Sequence, residues 1–307
     1  MKALVTAPQS PDSIELRDVE NPVPQRNEAL VAVKAVSINR GECRRLMAEQ
    51  DGWRPGWDLA GVVLQPAADG SGPGAGARVV GMARSGAWAE QVAVPTSLLA
   101  ELPSEVSFEQ AATLPVAGLT AIRSLAIGGN LLGRKVLVTG ASGGVGVFAV
   151  QLAKLAGAHV SAVVSRPERA QGLKELGADA IVIGHDTRPD KYDLILESVG
   201  GPSLTASLKS LERSGIVVLY GTTENPEVSF DARTFYSNSS VLYGLYVFNE
   251  VERHQSGVRD LASLIQFVAQ KRLKVEIDLE ASWTEAGRAI RALLDRKITG
   301  KAVLRVA

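Results

Sequence analysis

The stretch Val136–Leu155 reads VLVTGASGGVGVFAVQLAKL, and within it Gly140–Gly146 is GASGGVG. Gly143 and Gly146 match the last two glycines of the G-x-G-x-x-G pattern, with Ala141 in place of the first. A glycine at 143 lets backbone approach a pyrophosphate, and one at 146 lets a helix pack closely on the preceding strand. The helix that follows, expected from Val145, would present unpaired N–H groups and a partial positive charge. Gly140, Ala141, Ser142, Gly143, Gly144, Val145 and Gly146 are therefore expected to cradle the phosphates of a dinucleotide. A purely structural glycine turn is the alternative. The apolar strand before the turn and the amphipathic helix after it favour the binding reading.

The end of the second strand selects between NAD and NADP. An NAD site places Asp or Glu there to accept from the ribose hydroxyls. Here the residues are Val164-Ser165-Arg166-Pro167, with Ser165 nineteen positions beyond Gly146 and no acid. Ser165 can donate to a 2′-phosphate, and Arg166 can form charge-assisted bonds to it. A helix is expected over Pro167–Leu176, so Arg166 would oppose its macrodipole unless a bound phosphate reversed the penalty. The competing reading is a solvated surface arginine. On balance the cofactor is read as NADP(H).

These residues need a parallel sheet to hold them. From Lys135 onward apolar strands (136–139, 160–164, 180–183, 194–197 and 216–220) alternate with helices (145–155, 167–176 and 203–211). That alternation specifies a doubly wound α/β domain. The first hundred residues instead show short strands, such as 31–38, 60–64, 78–82 and 90–94, broken by the Gly/Pro-rich stretch 66–76. They read as a mostly β domain, followed by a helix that Ser107 caps with Gln110. After about Gly244 come helices at 258–270 and 283–294 and an edge strand at 301–306, too little for a third domain. The chain is expected to return and complete the first one. The expected division is 1–113 with 250–307, and 114–249.

Equal numbers of basic and acidic residues, 33 each, leave no global field to attract nucleic acid or an anionic membrane. No apolar run is long enough to span a bilayer, and no secretory signal opens the chain. Cys43 is the sole cysteine, which excludes an intramolecular disulfide and suits a reducing, cytoplasmic setting. With one cysteine and three scattered histidines (His159, His185 and His254), no ordinary zinc site is expected.

The sequence resembles the zinc-free quinone oxidoreductase branch of the medium-chain dehydrogenase/reductase superfamily. The resemblance rests on VSINRGE (36–42), GWDLAGVV (56–63), GAWAEQVAVP (86–95), AATLPVAGLTA (111–121), GASGGVG and LKELGAD (173–179). It implies a GroES-like β domain built from both chain ends around a Rossmann domain. Zinc-dependent members carry a cysteine near the position of Asn39 and Gly-His-Glu where this chain has Gly56-Trp57-Asp58. The resemblance places Asn39 and Thr120 near the nicotinamide, with Gly221 and the segment Leu245, Tyr246 and Phe248 along its ribose. It places His185 near the adenosine ribose, although a surface-loop imidazole is an equal alternative. Arg296 and Lys301 are read either as closing over the cofactor or as solvated.

Together these readings imply direct hydride transfer from NADPH to a small electrophile, a quinone or an activated double bond. Asn39, Arg40 and Glu42 are the local polar candidates for the developing oxyanion. The proton comes from solvent or from Tyr246, for which core packing is the competing role. Trp53, Trp57 and Trp88 either pack in the core or line an aromatic substrate pocket. An enoyl reductase acting on a tethered intermediate is one alternative. Another is a cofactor-binding structural or regulatory protein with negligible turnover. A homodimer is expected, with Leu242–Phe248 as the candidate edge contact.

Overall fold

The computed structural model describes residues 1–184, 190–224 and 226–306. The chain divides into two compact units, Met1–Leu119 with Val251–Ala307, and Thr120–Glu250. The first boundary falls inside a continuous helix, residues 115–127.

The first unit opens with a hairpin of β1 (Lys2–Thr6) and β2 (Ile14–Asp18). Next come β3 (Glu28–Ile38), α1 (Arg40–Leu46), β4 (Asp58–Gln65), β5 (Arg78–Met82), β6 (Gln91–Pro95) and β7 (Leu99–Glu101). α2 (Phe108–Ala112) follows, held by the expected reciprocal cap: Gln110 N–H donates to Ser107 Oγ at 3.1 Å, and Ser107 N–H to Gln110 Oε1 at 3.2 Å. α3 (Pro115–Ile127) then leads into the second unit.

Along β3 the alternation of buried and half-exposed side chains is that of a strand with one face on the core. That core holds Val31, Val33, Leu59, Val79 and Val94, and it also encloses Trp88 and Trp283.

The second unit contains β8 (Lys135–Val138), α4 (Gly144–Leu155), β9 (His159–Val164), β10 (Ala180–Ile183), β11 (Tyr192–Glu197), α5 (Gly201–Lys209), β12 (Leu211–Leu219), α6 (Ala232–Ser237) and β13 (Val241–Gly244). α7 (Val247–His254) crosses back into the first unit. The six strands are parallel in the order β10-β9-β8-β11-β12-β13. Strand order therefore reverses between β8 and β11, and such a switch point opens a crevice at the carboxyl ends of the strands.

The chain then adds α8 (Gly257–Ala269), β14 (Ile277–Ser282), α9 (Ala286–Leu294) and β15 (Lys301–Arg305). β15 lies between β14 and β3, so it is an interior strand and not the expected edge; β14 takes the edge.

Two further expectations are corrected. Pro167–Ala170 is a single 3-10 turn followed by turns, not a helix to Leu176, because Gly172 sits at φ +76° and breaks it. Leu242–Phe248 is not one strand: β13 ends at Gly244, and Val247 and Phe248 begin α7.

Candidate active site

In the second unit the glycine turn joins β8 to α4. Gly140 has φ +58°, in the left-handed region, and a Cβ there would come within 2.6 Å of Ser198 Oγ. A Cβ on Gly146 would overlap Gly140 O and approach Ala141 Cα to 2.6 Å. Gly143 caps α4 in extended conformation, and a Cβ there would meet only Gly140 O, at 3.2 Å. The constraint is thus severe at Gly140 and Gly146, where the turn folds on itself, and mild at Gly143. By helix geometry the N–H groups of Gly144, Val145 and Gly146 lack intrahelical acceptors, while Val147 N–H already reaches Gly143 O. Ala141 and Ser142 are buried beneath the turn, and Ala141 N–H donates to Val163 O at 3.0 Å.

Ser198, just beyond β11, forms the other wall of the switch point. Its N–H donates to Thr139 Oγ1 at 2.9 Å and its hydroxyl to Thr139 O at 3.1 Å, tying β11 to β8. Gly221 is close to the same residue, since a Cβ there would lie 3.3 Å from Ser198 O. Behind it the fully buried Glu197 accepts from the N–H groups of Val199 (2.8 Å) and Gly200 (3.1 Å). It also accepts from the hydroxyls of Ser203 (3.1 Å) and Ser207 (2.8 Å), which anchors the start of α5.

Ser165 and Arg166 are exposed just after β9, as the sequence order requires. Among the described residues the acidic neighbour of Arg166 is Glu168, at 3.9 Å. Since no helix follows, the macrodipole penalty expected at Arg166 does not arise. Thr120 is buried in the second turn of α3. Leu245 and Phe248 are buried, whereas Tyr246 is 52% exposed and so is not core-packed. His185 lies outside the described residues.

In the first unit Asn39, Glu42, Asp58 and Lys301 form one buried network. Glu42 reaches back to the Asn39 N–H at 2.6 Å, which closes the first turn of α1. Asn39 Nδ2 donates to Glu42 Oε1 at 3.1 Å and to Asp58 Oδ2 at 2.7 Å. Lys301 Nζ donates to Asn39 Oδ1 at 2.7 Å and lies 3.6 Å from Asp58 Oδ2. Asp58 Oδ1 accepts from Val116 N–H at 2.8 Å. Both amide protons of Asn39 are thus engaged, and its Oδ1 accepts from Lys301.

Glu42, Asp58 and Lys301 are almost fully enclosed. One lysine faces two carboxylates, so the buried charges balance only if one acid keeps its proton. That acid is Glu42. Burial first, and then the charge of Asp58, push its carboxyl well above the ordinary glutamate range. Its Oε2 has no hydrogen-bond partner among the described residues. Burial lowers Lys301, and the charges of Asp58 and Glu42 oppose that shift. Lys301 is accordingly an interior ion, not a solvated residue. Arg40 donates to Leu293 O at 2.7 Å and to Leu294 O at 3.2 Å, closing the carboxyl end of α9. Arg296 ends the same helix with φ +59°.

The sequence reading missed the pairing of Asp58 with Lys301 and the roles of Thr139, Glu197 and Ser198. An acid opening one strand and a lysine opening the last strand were the available signals. Of the tryptophans, Trp88 is fully buried in the core, Trp53 packs against it in part, and Trp57 lies against Gly41 of α1. Among the described residues no group of three or more His, Cys, Asp or Glu side chains could hold a metal ion. Nor is any helix there long and apolar enough to cross a membrane.

A GroES-like β unit joined to a doubly wound parallel unit with a glycine turn at its switch point defines a class, the two-domain dehydrogenases and reductases. Residues 25–104 match the alcohol dehydrogenase GroES-like domain, and residues 144–267 match the zinc-binding dehydrogenase family. The chloroplastic quinone-oxidoreductase QR1 of Triphysaria versicolor is 31% identical over 94% of this chain and 93% of its own. The chain belongs to the medium-chain dehydrogenase/reductase superfamily, in its quinone oxidoreductase branch. The acryloyl-coenzyme A reductase of Metallosphaera sedula is 25% identical over 99% of both chains. A mycobacterial protein solved in complex with NADPH superposes with a TM-score of 0.88 at 26% identity, covering 99% of this chain and all of the other.

Proposed function

We propose that this chain is a zinc-independent, NADPH-dependent reductase that delivers hydride to a quinone or to the activated double bond of an α,β-unsaturated carbonyl compound. The observation that carries the reading is the glycine turn at the β8–β11 switch point, where Gly140 and Gly146 leave no room for a Cβ. Bound NADPH supplies the hydride, and the quinone oxidoreductase and mycobacterial relatives support that choice.

The residues divide the work. Gly140 to Gly146 hold the pyrophosphate, while Ser165 and Arg166 take the 2′-phosphate. Thr120, Gly221, Leu245, Tyr246 and Phe248 border the nicotinamide end, and His185 the adenosine. Asn39 stands on the acceptor side, its amide held in place by Glu42, Asp58 and Lys301, with Arg40 anchoring the start of α1. Asn39 and Trp57 stand where zinc would need a thiolate and an imidazole, so the hydride transfer is read as metal-free. The proton comes from solvent or from the exposed hydroxyl of Tyr246.

The acryloyl-coenzyme A reductase relative supports a narrower version, reduction of an enoyl thioester or tethered enoyl group. We assign the protein to the cytoplasm on its single cysteine, and assign it a homodimer through the open edge of β13, with neither nucleic acid nor membrane as partner. NADPH consumption measured against quinones, enones and enoyl thioesters tests the function. Turnover of one class identifies it, and cofactor binding without consumption across the panel overturns the reductase reading.

A further inference from the structure

The segment that leads into β4 holds a cation, Arg54, with no counter-ion among the described residues. In the stretch 49–58 each acid already has its own base: Glu49 pairs with Arg45 at 2.7 Å, Asp51 with Arg17 at 2.9 Å, and Asp58 with Lys301 at 3.6 Å. Arg84, on the neighbouring loop, pairs with Glu252 at 2.6 Å. Arg54 is left over. It is half-buried, its Nε is shut away from solvent, and that atom has no hydrogen-bond partner among the described residues. Burial lowers its pKa with no acid to oppose the shift.

The backbone around Arg54 is built, not loose. Gly86 N–H donates to Arg54 O at 3.0 Å, Ala87 N–H to Gly56 O at 3.1 Å and Trp88 N–H to Pro55 O at 3.3 Å. Gly86 sits at φ +79°, and a Cβ there would lie 3.8 Å from Arg54 Nε, so the two loops form a close floor under the guanidinium. Trp88 Nε1 is also unpartnered, but its ring is wholly enclosed in the apolar core where no ligand reaches. Arg54 keeps part of its fork toward solvent. It lies three residues before Trp57, whose ring rests on Gly41 beside the Asn39 network.

Removing a guanidinium from water without a counter-charge costs stability, and a fork geometry suits carboxylate or phosphate oxygens. We propose that Arg54 is a specificity-determining residue that receives an anionic group, carboxylate or phosphate, carried by the hydride acceptor. This rests on the reductase reading and narrows it to acidic acceptors.

The test uses enones of increasing chain length that end in a carboxylate, the matched phosphate esters, and the methyl esters of the carboxylates. These are assayed with NADPH on the native chain, Arg54→Gln and Arg54→Lys. Binding of the saturated keto acids and their methyl esters is measured in parallel by calorimetry. Arg54→Gln should raise KM and weaken binding about 10- to 100-fold for the acidic compounds and leave the neutral esters unchanged. Arg54→Lys should keep part of the preference, and the thermal midpoint should not fall, since no internal bond is lost. The relative response of carboxylates and phosphates tells which anion is read.

Equal effects on acids and esters, or none, overturn the assignment while turnover of the neutral enones upholds the reductase reading. If every acceptor is inert yet keto-acid binding still depends on Arg54, the reductase reading fails and the anion site stands.

Discussion

Lys301 Nζ lies 2.7 Å from Asn39 Oδ1, although 262 positions of chain separate the two residues. The last strand thereby reaches under the first helix and fixes which way the Asn39 amide faces. With Oδ1 turned to the lysine, both Nδ2 protons fall to Glu42 and Asp58. Lys301→Met leaves the buried Asp58 carboxylate without its cation and should cost about 3–5 kcal/mol in chemical denaturation. Lys301→Arg should cost less. A Lys301→Met chain as stable as the native one would show that the pair contributes nothing.

Glu42 makes stability depend on pH. The folded carboxyl keeps its proton above the pH at which the unfolded one has lost it, so the native state binds more protons there. Stability should therefore fall as pH rises from about 4.3, the unfolded value, toward the raised folded value. Glu42→Gln keeps an Oε1 acceptor for the Asn39 N–H and removes the titration. Thermal midpoints of the two chains should converge at acid pH, with the variant the more stable at neutral pH. A parallel pH dependence in both would exclude Glu42 as its source.

The proposed site assigns the 2′-phosphate to Ser165 and Arg166. Arg166→Ala should weaken NADPH binding by about 1.5–3 kcal/mol, the worth of hydrogen bonds to a charged group. NADH binding should hardly change. Equal losses for the two cofactors, measured by fluorescence titration, would remove the 2′-phosphate role.

The glycines of the turn are not equivalent. Gly146→Ala forces a methyl group into Gly140 O and should cost about 1–3 kcal/mol of stability together with cofactor affinity. Gly143→Ala meets one oxygen at 3.2 Å and should be the milder change. Calorimetry of both variants orders them, and the reverse order would contradict the turn geometry.

β13 closes one side of the parallel sheet with Val241 and Leu242 partly exposed, 43% and 37%. An open edge of this kind pairs with a second copy unless it is charged or covered. Leu242→Lys should shift the chain from dimer to monomer in analytical ultracentrifugation. An unchanged mass would place the interface elsewhere or remove it.

Local pattern alone made much of this protein legible. The apolar strands of the second unit and the glycine turn announce themselves because both faces of a parallel sheet are covered and because a Cβ cannot fit at Gly146. The Ser107 cap was equally readable, since its two hydrogen bonds lie within four residues. The chain's return to complete the first unit followed from the scarcity of elements after Gly244.

Tertiary structure decided the rest. Nothing near Lys301 in sequence marks it as buried, and its partners Asn39 and Asp58 come from a distant segment that β15 meets only by pairing with β3. Arg40 looks like a site residue until α9 packs beside it and offers two carbonyls. Nothing in the linear pattern around Arg54 shows that the acids near it pair with other bases, or that its Nε is buried without a partner among the described residues. Charge and hydrogen-bond partners are set by which distant strands pair, and a linear pattern holds no record of that choice.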